Sequence, residues 1–415
     1  MEVYTAGYLE NGLGFLIAPR PGAHLVHLAA YLDHGVKDET PEENGISHLI
    51  EHLLFNVHRF PKHLASAWQE LAQKGVYLEA WTGKEHTRLS LSCNAEQLRQ
   101  ALRFVRQLLK PLPIRQEAFD HERSIVMDEI ARKRSSPEYL WNLIEEALYA
   151  PPYGLPVLGT PETVASIKLE DLRRKLHQVL APVNLRLVLV GRCSAGVADA
   201  VYEMFSTWTA GKASSASPPI ELAQRVMAIR GPGSRVKLYL AFPVPGLADK
   251  ERYAVEILAH ILGRGMASRV FRSLREEVEL AYAVGGGSVH WRQSGYLFLA
   301  ADLARERLDE GFRNLLKAAT SLQTTPLLEE EVVSAREALA LQALHEAEGP
   351  GLAYRLGVHW LAGEIYYPTQ AASVYRQVSL SEVHAAARYL DPRHMALLGI
   401  GIHEDELARL LEVSW

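Results

Sequence analysis

A chain of 415 residues exceeds what one typical hydrophobic core supports, so two domains of about 200 residues are expected. Its 48% hydrophobic and 22% charged content is that of an ordinary globular protein. A net charge of -5 and a pI near 6.4 give no basic footprint for nucleic acid, and no apolar run reaches the roughly 18 residues that mark a membrane span.

The N-terminus, Met1 to Thr5, has no basic segment followed by an apolar one, which predicts a cytoplasmic protein. Strands are expected over Leu13 to Ala18 and Leu25 to Leu32, separated by the turn Pro19-Arg20-Pro21-Gly22. After a polar loop, Asn44-Gly45 is expected to cap and open a helix containing His48-Leu49-Ile50-Glu51-His52. A second helix covers Leu64 to Lys74 and stops at Gly75, a good residue for a helix end. Val76 to Cys93 reads as one or two strands around Gly83-Lys84, and Asn94 to Lys110 as a helix. Arg115 to Arg134 is a helix on which Glu122, Val126 and Glu129 share a face, at i, i+4 and i+7. Helices at Ser136 to Tyr149 and Lys168 to Leu180, a strand at Leu185 to Gly191 and a helix at Val197 to Trp208 follow. Cys93 and Cys193 are the only cysteines. They sit in unrelated sequence contexts, so neither a disulfide framework nor a C-x-x-C metal site is expected.

Thr209 to Pro219, small, polar and proline-rich, is the clearest linker. Beyond it the same grammar returns. A strand (Val236 to Phe242) precedes helices (Glu251 to Leu262, Ser268 to Glu277) and strands (Tyr282 to Trp291, Tyr296 to Ala301). Helices (Arg307 to Leu322, Glu329 to Ala347, Ser379 to Tyr389) and a strand (Met395 to Ile402) complete it. A duplicated α+β unit is the inference.

The motif that carries chemistry is H-x-x-E-H. On a helix, positions i, i+3 and i+4 share one face, so His48, Glu51 and His52 point the same way. Two imidazoles one turn apart can grip one Zn2+, and the carboxylate between them can reach water on it, as in the inverzincin arrangement. The five residues taken alone suit an ordinary helix as well as a site, because two histidines do not complete a catalytic zinc centre. The best third ligand is Glu129, 77 positions beyond His52, with Glu122 two turns before it.

These residues resemble the pitrilysin/insulysin family of inverted-motif zinc peptidases, which includes mitochondrial processing peptidase. Family members carry a glutamate ligand at about this distance from the motif and an assisting glutamate seven residues earlier, the places of Glu129 and Glu122. Asp38 to His48, the loop Tyr153 to Gly159, and the run from Leu262-Gly263-Arg264-Gly265 through Leu280-Ala281-Tyr282 are similar to family stretches. Arg275 and Tyr282 match, in type and spacing, an arginine and tyrosine that hold the substrate backbone in active members. Two departures stand out. Phe55-Asn56-Val57-His58 replaces a common Phe-Lys-Gly-Thr, and Glu79-Ala80 stands where an asparagine-alanine pair often marks the substrate-pairing edge strand.

The resemblance implies an α+β fold: two similar α/β-sandwich domains, each a mainly antiparallel sheet covered by helices, together one half of a clamshell. Residues 1–210 would form the zinc-binding catalytic domain, 211–224 a linker, and 225–415 the homologous second domain with Arg275 and Tyr282. It implies a zinc endopeptidase with one Zn2+ per chain held by His48, His52 and Glu129, Glu51 as general base and Glu122 in support. A peptide substrate would enter as an added strand near Glu79 and Ala80. No nucleic-acid or membrane partner is expected. A homodimer, or a heterodimer with a related chain, would close the chamber. The alternative is a non-catalytic partner subunit of a processing-peptidase-like complex, although such members usually carry a broken motif. A structural zinc site would need a fourth ligand, and the motif offers only Glu51.

Overall fold

The computed structural model describes residues 3–412 apart from 56–60, 111–112, 134–138, 214–217, 224, 232, 277–278, 324 and 348–349. Part of the expected linker, 214–217 and 224, and Asn56-Val57-His58 therefore lie outside the described residues.

Two compact units are present, each built on one sheet. In the first, β1 (Thr5–Tyr8), β2 (Gly14–Pro19), β3 (Leu25–Leu32), β4 (Tyr77–Thr82), β5 (Thr87–Asn94) and β6 (Leu185–Gly191) lie in the order β1-β2-β6-β3-β5-β4. In the second, β7 (Val226–Ile229), β8 (Arg235–Pro245), β9 (Ala281–His290), β10 (Ser294–Ala304) and β11 (Ala396–Ile400) lie in the order β7-β11-β8-β10-β9. With β1 set aside, both sheets read first, fifth, second, fourth, third. In both, the first and fifth strands are parallel and every other pair is antiparallel. The expected duplication is therefore present as topology, in an α+β fold of mainly antiparallel sheets covered by helices.

The units are not contiguous halves. Residues 1–139, 151–219 and 346–366 form the first, and 140–150, 220–345 and 367–415 the second. The helix Pro350–Leu361, from late in the chain, packs on β3 and β6 of the first sheet. Gly357 allows this, since a Cβ there would lie 2.1 Å from the Tyr31 ring, and the Tyr31 hydroxyl donates to the Ala353 carbonyl at 3.0 Å. This helix, those at Pro368–Gln377 and Glu404–Glu412, and the four-residue strand β7 went unforeseen. Pro350 looks like a breaker but stands at the first helical position, where its missing N–H costs nothing. The helix expected over Ser268 to Glu277 is an α-helical turn, Arg269–Phe271, followed by a π-helical one, Arg272–Glu276. Cys93 and Cys193 are less unrelated than their sequence contexts. Both are free; burial, and then the neighbouring Cys193 thiol, push the Cys93 thiol up to about 11.

The motif lies on α1 (Ile46–Phe55), which packs against α4 (Gln116–Lys133), while α2 (Lys62–Gln73) packs against α3 (Leu98–Leu108). Strand β5 alternates strictly, with Leu89, Leu91 and Cys93 in the core and Arg88, Ser90 and Ser92 outside. Ile46, Leu49, Ile50 and Leu53 of α1 are at most 2% exposed in the same core. Each such burial is worth roughly 1.5–3 kcal/mol, enough to fix which face of α1 is left for His48, Glu51 and His52.

The start of α1 is held by a residue other than the expected cap. The buried Glu39 carboxylate accepts from the Gly45 N–H at 2.9 Å and the Ser47 N–H at 2.8 Å, placing an anion at the helix N-terminus. Asn44 does not cap; its amide donates to Glu39 at 2.8 Å and to the Pro156 carbonyl at 2.9 Å. Gly45, at φ 98°, meets Gly159 so closely that a Cβ on either would sit within 3.0 Å of the other's Cα. The helix entry is thereby locked onto Leu158, Gly159 and Val164, the last on the short helix Pro161–Ser166. Glu39→Ala, which leaves these donors unpaired, is expected to lower unfolding free energy by roughly 1–3 kcal/mol, read as a lower urea midpoint. An unchanged midpoint would contradict the capping role.

Candidate metal centre

Helix α4 packs against α1 and turns its acidic line toward the motif. His52 is held from both sides: its Nδ1 lies 3.3 Å from Glu122 Oε2 and its Nε2 3.2 Å from Glu129 Oε2. His48 Nε2 lies 3.8 Å from the same Glu129 oxygen. One ligand atom each from His48, His52 and Glu129 falls within 4.8 Å of the others, a donor set able to hold one metal ion. The chemistry of the set suits zinc: two imidazole nitrogens and one carboxylate, with Glu122 on the second nitrogen of His52 fixing its ring.

The electrostatics of the metal-free cluster are uneven. Burial, and then the charge on His52, push His48 down to about 3, so its imidazole is neutral. Burial also opposes charge on His52, but the hydrogen bonds to Glu122 and Glu129 outweigh it and push this imidazole up to about 9. The bond to His52 holds the Glu129 carboxyl well below the usual range, with Lys133 Nζ adding an ion pair at 2.8 Å to the other oxygen. Burial raises the Glu51 carboxyl, which accepts a hydrogen bond of 2.5 Å from Thr82 Oγ1.

Thr82 and Lys133 were not anticipated. Lys133 was open to discovery, being one turn after Glu129 on the same helix. Thr82 gives no sequence signal, because its approach to Glu51 exists only once β4 lies beside α1. Glu79 and Ala80 sit on β4, the terminal strand of the first sheet; among the described residues β4 pairs only with β5, which leaves its outer edge open. Arg275 and Tyr282 belong to the second unit. Arg275 lies in the π-helical turn with its guanidinium over the Phe271 ring, and Tyr282 is 72% exposed at the start of β9.

Nitrogen-detected spectra of the metal-free protein at neutral pH are expected to show His52 as imidazolium and His48 as neutral imidazole. Glu122→Gln should lower the His52 midpoint. Because His52 Nε2 must lose its proton to ligate, metal binding should release protons. A neutral His52 at pH 7 would contradict the clamp of carboxylates.

The chain is similar to known proteins over most of its length. Residues 15–161 match the family model described as insulinase (peptidase family M16), and 166–339 the one described as peptidase M16 inactive domain. An uncharacterized zinc protease of Rickettsia felis is 27% identical over 381 residues, covering 89% of this chain and 90% of that protein. The uncharacterized zinc protease YmxG of Bacillus subtilis is 25% identical over 333 residues, covering 79% of this chain and 80% of that protein. Among solved structures, a protease from Helicobacter pylori superposes with a TM-score of 0.86 at 17% identity, covering 96% of this chain and 100% of that one. A peptidase M16 inactive domain from Pseudomonas fluorescens gives 0.83 at 19% identity, covering 96% and 98%. Among the described residues no helix is long and apolar enough to cross a membrane. The duplicated sheets, the histidine pair facing α4 and these matches place the chain in the insulinase family of peptidases, M16.

Proposed function

We propose that this chain is a zinc-dependent endopeptidase acting on peptides or unstructured polypeptide segments. The observation that carries the reading is the convergence of His48, His52 and Glu129 within 4.8 Å, with Glu51 between the histidines on the same helix. His48, His52 and Glu129 would hold one zinc ion, and Glu122 would keep the His52 ring oriented toward it. Zinc bound there supplies a Lewis acid and a water whose pKa falls toward about 7.

The chain's own residues then do the following. Glu51, its carboxylate steadied by Thr82, takes the proton of the attacking water and delivers it to the leaving amine. A raised carboxyl pKa makes that proton exchange easier near neutral pH. The open edge of β4 receives the peptide as an added strand alongside Glu79 and Ala80, and Thr82 at the end of β4 ties that edge to the general base. Main-chain pairing is tolerant of side chains, so the reading includes a broad substrate range. Arg275 and Tyr282 complete the site by holding the substrate backbone from a second subunit, in a homodimer or in a heterodimer with a related chain. The presence of Glu51 together with all three ligand residues favours catalysis over the role of an inactive partner subunit.

Glu51→Gln is expected to retain stoichiometric zinc and to lose at least about 100-fold in peptide cleavage, measured by metal analysis beside a fluorogenic peptide assay. Zinc bound by the wild-type protein with no cleavage of any unstructured peptide would sink the enzymatic reading. Glu129→Gln should lose the metal; retention of stoichiometric zinc would remove Glu129 from the ligand set. For the assembly, mixing Glu51→Gln with Arg275→Ala subunits should restore part of the activity lost by each, and no recovery despite proven subunit exchange would count against sites shared between subunits.

A further inference from the structure

Tyr282 is presented by an irregularity in the sheet. Along β9 and β10 the ladder pairs Val284 with Ala301 and Ala283 with Asp302, and then Ala281 with Leu303. Tyr282 is therefore the extra residue of a β-bulge. Side chains alternate between faces, and Ala301 and Leu303 point into the core. Unbroken alternation from Val284 would turn residue 282 to the core and residue 281 outward. The bulge reverses both: Ala281 is 8% exposed, whereas Tyr282 is 72% exposed beside the exposed Ala283.

The outward ring is not left to itself. The guanidinium of Arg235, the first residue of β8, lies 4.1 Å from the centroid of the Tyr282 ring. Arg235 is tied in turn to Asp302, with Nε donating to Oδ1 at 2.9 Å and Nη2 at 2.9 Å from the same oxygen. Asp302 is the β10 residue at which the register shifts, so one position anchors both the bulge and the cation above the ring. Stacking under a guanidinium and an ion pair beneath it leave an exposed tyrosine fewer orientations than its exposure alone would give.

We propose that Arg235, fixed by Asp302, is a positioning residue for Tyr282, holding the phenol in the orientation in which the bulge presents it to bound peptide. The inference rests on the peptidase reading above and adds a residue outside the Arg275–Tyr282 pair. Arg235 acts through Tyr282 and need not touch substrate. Its effect is to order the ring before the peptide arrives, so that binding does not have to immobilise it.

The test is a double-mutant cycle on the full chain with a fluorogenic peptide. Arg235→Ala is expected to raise KM roughly 3- to 10-fold with little change in kcat. Arg235→Lys, which keeps a cation for both the ring and Asp302, should recover part of the loss. In a Tyr282→Ala background Arg235→Ala should have no further effect. An equal loss in both backgrounds would show a general structural role and overturn the proposal, as would a Tyr282→Ala chain that cleaves like wild type. A second measurement needs no activity. In fluorotyrosine-labelled protein, the Tyr282 fluorine resonance, assigned through Tyr282→Phe, should shift and narrow in Arg235→Ala. An unchanged position and width would overturn the proposal. A wild-type chain that cleaves no peptide would count against the proposed function alone, leaving the fluorine measurement to decide this inference.

Discussion

The structure turns on the contact between α1 and α4, where one imidazole is held between two carboxylates. His52 bonds Glu122 through one ring nitrogen and Glu129 through the other. Everything around this contact serves to keep two helix faces in register. Glu39 anchors the start of α1, the paired glycines at 45 and 159 bring it against the following loop, and its apolar residues are sunk in the core of the first sheet. A cluster of ionisable groups this close would repel or desolvate itself in a loose scaffold. Here opposite charges meet, with Lys133 balancing the second oxygen of Glu129.

Among the described residues only one unit carries this chemistry, and the duplicated topology shows where the two units differ. In each sheet the third strand is an edge, β4 in one and β9 in the other, and the helix after the second strand packs beside it. In the first unit that helix is α1, and it meets the edge through polar atoms, Glu51 to Thr82. In the second unit the equivalent helix, Arg252–Gly263, meets β9 through bare backbone. A Cβ on Gly263 would lie 2.3 Å from the Cα of Gly286, so the two elements touch with no room for a side chain between them. Gly286 thus serves close helix–sheet packing.

Much of this was legible in the residues. Elements with strong periodicity appeared where expected: β3 and β6 coincide with the apolar runs Leu25–Leu32 and Leu185–Gly191, and Gly75, at φ 79°, ends α2. The spacing of Glu122 and Glu129 placed both carboxylates on one helix face, where they are found. The elements that went unseen are those whose stability comes from elsewhere in the chain. Strand β7 has four half-buried residues and exists by pairing with β11, and the helix Pro350–Leu361 is defined by the sheet it covers. The helix cap was assigned to Asn44 because caps are usually local, whereas the anion came from Glu39.

The sequence by itself determined the ligand types, their order and their helical phase, because H-x-x-E-H and the later glutamate pair have meaning at the fixed spacing of an α-helix. It also determined the duplication, since the same alternation of strands and helices is written twice. What only the tertiary structure decided is which groups meet across elements: Thr82 with Glu51, Glu39 with the α1 N-terminus, and the exchange of residues 140–150 and 346–366 between the two units. The bulge that turns Tyr282 outward under Arg235 is of the same kind. Period and propensity act over a few residues, while most of these contacts join residues far apart in the chain, and their geometry is set by the packing of whole sheets and helices.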